Sequence, residues 1–65
     1  MVVVLNKKQI TISDDCNLMD LIKELGFPKS VAVFINGKQL LMSQYDGFIL
    51  SENDEVRIIK PLGGG

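Results

Sequence analysis

By residue type alone, few groups in this chain could do chemistry. They are the thiol of Cys16 and two pairs of adjacent acids, Asp14 with Asp15 and Asp54 with Glu55. A cysteine becomes a nucleophile when a base or a positive charge favours its thiolate. The chain contains no histidine, and Asp14 and Asp15 beside Cys16 oppose the anion. Cys16 is therefore read as a structural residue at a turn or half-buried beside a helix, and no function is assigned to it. A single cysteine forms no internal disulfide, and without histidine it does not complete a zinc site. Both acid pairs fall at expected turns, where solvated carboxylates are ordinary. No catalytic residue, no metal site and no intrinsically bound cofactor is expected, so any function must lie in what other molecules do with this chain.

Composition narrows those molecules. The chain has 65 residues, 46% of them hydrophobic and 23% charged, which suits one small domain with its own core. Seven basic residues against eight acidic ones give a net charge of -1, with no basic stripe to neutralise a run of phosphates. Nucleic acid is not an expected partner. The apolar runs are all far shorter than the roughly 20 residues needed to span a bilayer, and residues 1–5 lack the basic leader of a signal peptide. A cytoplasmic protein that does not enter membranes is expected.

The elements that must position any interaction surface follow from periodicity. Residues 1–5 form a β-branched apolar run and residues 9–13 alternate as Gln-Ile-Thr-Ile-Ser, with Asn6, Lys7 and Lys8 between them, which predicts a β-hairpin. Asn17 stands as an N-cap, expected to accept from the N–H of Asp20. Leu18, Leu21, Ile22 and Leu25 then recur on one helical face. Gly26 ends the helix after about two and a half turns, and Pro28 prevents its return. Residues 31–35 read as a central strand, Asn36-Gly37 as a hairpin turn and residues 38–41 as a short returning strand. Residues 43–54 read as a loop with one helical turn that pins Phe48 and Leu50 to the core. Glu55 to Lys60 alternates again before Pro61, with Val56 and Ile58 on one face and Arg57 and Ile59 on the other. The order β, β, α, β, β, β gives an α+β fold, one helix across a mixed sheet with the first and last strands adjacent at its centre.

Three segments together resemble the ubiquitin-like β-grasp sulfur carriers ThiS and MoaD, and more distantly ubiquitin. They are the helix pattern Leu18-Met19-Asp20-Leu21-Ile22-Lys23-Glu24-Leu25-Gly26, the strand and turn Val31-Ala32-Val33-Phe34-Ile35-Asn36-Gly37, and the ending from Asn53-Asp54-Glu55-Val56 to Gly63-Gly64-Gly65. The resemblance covers the whole chain. It implies a β-grasp domain over residues 1–61 and a flexible glycine tail over 62–65. It also implies that the carboxylate of Gly65 is adenylated by an E1-like enzyme of the ThiF or MoeB type using ATP, then converted to a thiocarboxylate. A carboxylate is a poor acyl donor until one oxygen becomes a leaving group, which the adenylate provides. Gly63 and Gly64, without Cβ atoms, suit a segment that threads a narrow partner active site. A flexible terminus or a cloning remnant is the alternative.

Partners follow from the same resemblance. They are the adenylyltransferase, a sulfur donor such as a cysteine desulfurase or rhodanese, and either thiazole synthase or the large subunit of molybdopterin synthase. If Val33, Val56 and Ile58 face the helix, Phe34 and Ile59 point from the opposite sheet face, where ubiquitin-like proteins dock their partners. Leu62, before the glycines, is the third docking residue implied. The chain departs from thiazole-type carriers after the Asn-Gly turn: Leu41-Met42-Ser43-Gln44 replaces a Pro-Arg pair, which leaves Tyr45 as the aromatic of that segment. Pro61 is similar to the molybdopterin type, whereas the short length and triple glycine favour the thiamin type. A ubiquitin-like modifier or a plain interaction module is the reading from a different class, because fold alone does not fix function.

Overall fold

The computed structural model describes residues 1–60, so the expectations placed on Pro61, Leu62, Gly63, Gly64 and Gly65 lie outside the described residues. The first hairpin joins β1 (Val2–Leu5) to β2 (Lys8–Thr11) through a two-residue turn, Asn6-Lys7, tighter than the three-residue link read from the sequence. The helix α1 (Leu18–Glu24) comes next. Then β3 (Ala32–Ile35) turns at Asn36-Gly37 into β4 (Lys38–Gln39), and β5 (Glu55–Ile59) closes the order. The sheet runs β2-β1-β5-β3-β4, with β1 parallel to β5 and the other pairs antiparallel. The first and last strands are central neighbours, as the topology argument required. This is the β-grasp arrangement.

The helix is about two turns long, shorter than periodicity suggested. Asn17 caps it, but its Oδ1 accepts from the N–H of Met19 at 2.8 Å rather than from Asp20, and its Nδ2 donates to the carbonyl of Asp46. Leu18, Leu21 and Ile22 are buried against the sheet, whereas Leu25 is 41% exposed. The helix ends at Glu24, which leaves Leu25 on the capping residue, past the stripe that faces the core. Gly26 takes φ +81, and the N–H groups of Gly26 and Phe27 bond the carbonyls of Lys23 and Ile22, a Schellman closure that requires a left-handed residue at Gly26.

The core joins Val3, Val33, Ile35, Val56 and Ile58 of the sheet to the helix stripe. So short a helix owes its stability to this packing. Val31 is fully buried although it lies just outside β3, and the returning strand is only two residues long. The expected helical turn in the loop is a six-residue 3₁₀ segment, Met42–Gly47. Leu50 is buried and Phe48 packs against the core, as expected. The loop's main anchor is one the sequence reading did not foresee: Tyr45 is buried and its hydroxyl donates to the Val31 carbonyl at 2.8 Å. The core thus gains a ring whose polar end is satisfied.

Candidate functional site

The last strand presents two different faces because side chains alternate along it. Val56 and Ile58 enter the core, while Glu55, Arg57 and Ile59 point from the opposite face. In the β3–β5 register Phe34 stands opposite Arg57, and Ala32 opposite Ile59. Phe34 and Ile59 are therefore diagonal neighbours across the ladder. With Gly37, Glu55 and Arg57 they line an open depression of about 350 Å³, in which Phe34 is half-buried and Ile59 is 44% exposed. The two residues expected to share the outer face do share it. Apolar side chains here are flanked by one acid and one guanidinium, which suits a surface that docks and releases.

The position of this strand is held at both ends. At its start, Asn36 has φ +52 and Gly37 φ +84, the pair of positive angles of a type I′ hairpin turn. The Asn36 Oδ1 accepts from the N–H of Glu55 at 2.9 Å, and its Nδ2 donates to Asp54 Oδ1 at 3.0 Å. Asp54 in turn accepts from the N–H of Ser51 through its other oxygen, so this acid is a loop-ordering residue. Near the other end, β1 has already turned away. Asn6 replaces it: its Oδ1 accepts from the N–H of Ile58 at 2.9 Å and its Nδ2 donates to the carbonyl of Ile58 at 3.3 Å. One side-chain amide thereby continues the ladder by a residue, which keeps β5 extended up to the segment that leads to the glycines. Lys60, the last residue described, sets its Nζ 5.4 Å from the centre of the Phe27 ring.

Sequence reasoning missed Asn6, Phe27 and Tyr45 in these roles. The signal available for Asn6 was its residue type: Asn tolerates positive φ better than other side chains and carries both a donor and an acceptor. Cys16 lies elsewhere. It is 8% exposed, its Sγ donates to the carbonyl of Asn17 at 3.6 Å, and its thiol is pushed up in pKa by burial first and then by the negative charges of Glu24, Asp20 and Asp15. Both effects favour the unreactive thiol. Among the described residues, no group of three or more His, Cys, Asp or Glu side chains converges as a metal site would require. No helix among them is long and apolar enough to cross a membrane.

Comparison with known proteins decides the family. The family model described as ThiS family matches residues 3–65, nearly the whole chain and including the terminal glycines. The chain belongs to the ThiS family. With that membership it takes its place among small sulfur-carrier proteins rather than catalysts. Two solved structures agree. A crystal structure of the thiamine biosynthesis protein ThiS from Geobacter metallireducens superposes with a TM-score of 0.84 at 26% identity, covering 100% of both chains. An NMR solution structure of a thiamine biosynthesis protein from the same organism gives a TM-score of 0.81 at 26% identity, over 100% of this chain and 88% of that one. No curated protein sequence matches the chain.

Proposed function

We propose that this protein carries sulfur for the thiazole ring of thiamin as a thiocarboxylate on Gly65. The observation that carries the reading is the extent of the family match, which continues past the sheet through Gly63, Gly64 and Gly65. In the proposed cycle a Gly65 carboxylate oxygen attacks the α-phosphorus of ATP on an E1-like adenylyltransferase, with loss of pyrophosphate. The terminal sulfur of a persulfide held by a cysteine desulfurase or rhodanese then attacks the acyl carbon and displaces AMP. Two electrons from a thiol reductant cleave the acyl disulfide so formed and free the thiocarboxylate. The resulting thiocarboxylate is the donor to a thiazole synthase. ATP belongs to the activating enzyme, and all of these partners place the carrier in the cytoplasm. Gly63 and Gly64 thread the partner active site, while Phe34, Ile59 and Leu62 dock the domain.

The test is the intact mass of the protein after incubation with ATP, the adenylyltransferase of the same source and a sulfur donor. A shift equal to one oxygen exchanged for sulfur, mapped to Gly65, is expected. One extra residue after Gly65 should abolish it. Lysine conjugates in place of the shift would instead support a ubiquitin-like modifier, and delivery to a molybdopterin synthase rather than a thiazole synthase would reassign the pathway. Phe34→Ala should raise the KM of the adenylyltransferase for the carrier with little change in kcat. An unchanged KM would remove Phe34 from the docking face.

A further inference from the structure

A second surface lies away from the face of Phe34 and Ile59, where the edge strand β2 passes alongside α1. An open groove of about 560 Å³ runs between them, floored by Ile10, Ile12, Cys16, Leu21 and Leu25 and rimmed by Glu24. We propose that this groove takes one extended segment of a partner protein, added as a sixth strand to the free edge of β2, with alternate apolar side chains and flanking Lys or Arg. The proposal does not depend on sulfur chemistry at the tail.

Three observations specify that occupant. The first is backbone. Met1 and Ile12 exchange hydrogen bonds in both directions, at 2.7 and 2.8 Å, so the antiparallel ladder makes Val3 with Ile10 and Leu5 with Lys8 the other bonded pairs. Gln9 and Thr11 fall between them, and their N–H and C=O groups point away from β1 towards the sheet edge. No other strand lies beyond β2 among the described residues. Two donors and two acceptors in a row at a sheet edge form a template for strand addition.

The second observation is the floor. Ile10 stands opposite the fully buried Val3, so it and Ile12 face the helix side of the sheet, and both are only partly covered. Leu25 adds an exposed apolar side chain from the end of the helix. A strand seated on the Gln9 and Thr11 edge would lay every second side chain on this floor. The third observation is charge. Glu24 stands on the groove rim, and Asp20 and Asp15 lie near enough to act with it on the Cys16 thiol at the floor. These acids outnumber Lys8, which alternation puts on the same face as Ile10 and Ile12, so the matching segment is basic. An acidic segment, or an apolar segment without positive charge, is disfavoured there.

The probe is a synthetic peptide, Lys-Val-Thr-Val-Thr-Val-Lys with blocked ends, titrated into the isotope-labelled full chain at low salt and followed by NMR. Saturable shifts are expected at the amides of Gln9 and Thr11 and at the methyls of Ile10, Ile12, Leu21 and Leu25. The same peptide with Glu in place of Lys should bind about tenfold more weakly. Thr11→Pro removes one outward N–H at an edge position that tolerates proline, and should weaken binding severalfold. If it unfolds the chain, Leu25→Lys at the exposed end of the floor tests the same seat, and should weaken the basic peptide through lost contact and repulsion. No saturable shift, or shifts confined to Phe34 and Ile59, would overturn the proposal. So would shifts of Gln9 and Thr11 that grow with protein concentration alone, since the edge would then belong to a second copy of this chain.

Discussion

The two hairpins of this protein turn on the same residue and differ in the next one. Asn6-Lys7 joins β1 to β2, and Asn36-Gly37 joins β3 to β4; all four residues have positive φ, at 47, 70, 52 and 84. Both asparagines also reach out of their own hairpin to the backbone of β5, Asn36 to Glu55 and Asn6 to Ile58. Glycine accepts the left-handed region without strain, whereas lysine pays a steric cost there. The end of β5 nearer the glycine tail therefore has the poorer turn, and a clamp whose two side-chain bonds are part-buried and both go to the backbone of Ile58, where those of Asn36 are exposed. Fixing that strand end rests on a specific pair of hydrogen bonds more than on turn propensity, and this makes the comparison easy to break.

The largest effect should come from Asn6→Ala. It removes both bonds to Ile58, leaves the polar groups of a part-buried backbone unpaired and puts alanine at φ +47, so a loss of about 2–3 kcal/mol in urea unfolding is expected. Asn36→Ala should cost less, about 1–2 kcal/mol, because its partners are exposed and water replaces them. Equal costs would mean that Asn6 is an ordinary turn residue. Asn6→Gly sharpens the point by keeping the backbone free to hold its angle, and should lose about 1–2 kcal/mol through the bonds alone.

The two turns were also unequally legible. Asn36-Gly37 is a hairpin signal at the level of the dipeptide, because glycine at the second position meets the angle that the turn demands. Asn6-Lys7 carries no such signal, and reading a third residue into the link reflected the polarity of Lys8, which the structure places in an edge strand where a charged side chain is normal. Periodicity correctly gave the helix stripe, the inward Val56 and Ile58 and the outward Phe34 and Ile59, since alternation and helical spacing report faces directly. It misplaced Leu25 because periodicity does not show where a helix stops. Tyr45 was named only as the aromatic of its segment, and its anchoring role was not legible for another reason: it depends on the Val31 carbonyl, 14 residues away in sequence, which accepts from the hydroxyl in the assembled core. The bonds from Asn6 to Ile58 are of the same long-range kind.

Exchanging the second turn residues should produce smaller effects of opposite sign. Gly37→Ala forces a Cβ onto φ +84; no atom lies within 4 Å of where that Cβ would sit, so the cost is backbone strain alone, about 1 kcal/mol. Lys7→Gly relieves the same strain at the other hairpin but adds chain entropy to the unfolded state, and should stabilise by about 0.5–1 kcal/mol. If Lys7→Gly destabilises instead, the lysine side chain holds the turn through contacts of its own, and the view that this hairpin is tolerated because of Asn6 fails.

The smallest effect tests whether anything besides Asn6 fixes the tail end of β5. The Schellman closure at Gly26 delivers Phe27 to a position where its ring faces the Lys60 ammonium, so the helix terminus and the last described residue are joined by a cation–π contact. Phe27→Leu keeps an apolar side chain against the core but removes the ring face, and Lys60→Met removes the charge while retaining the stem. A double-mutant cycle of the two should return a coupling of about 0.5–1 kcal/mol, the range for a partly exposed pair. Coupling near zero would leave the Asn6 amide as the tested tether at that end, and the cost of Asn6→Ala would then measure directly how firmly the domain holds the strand that precedes its glycines.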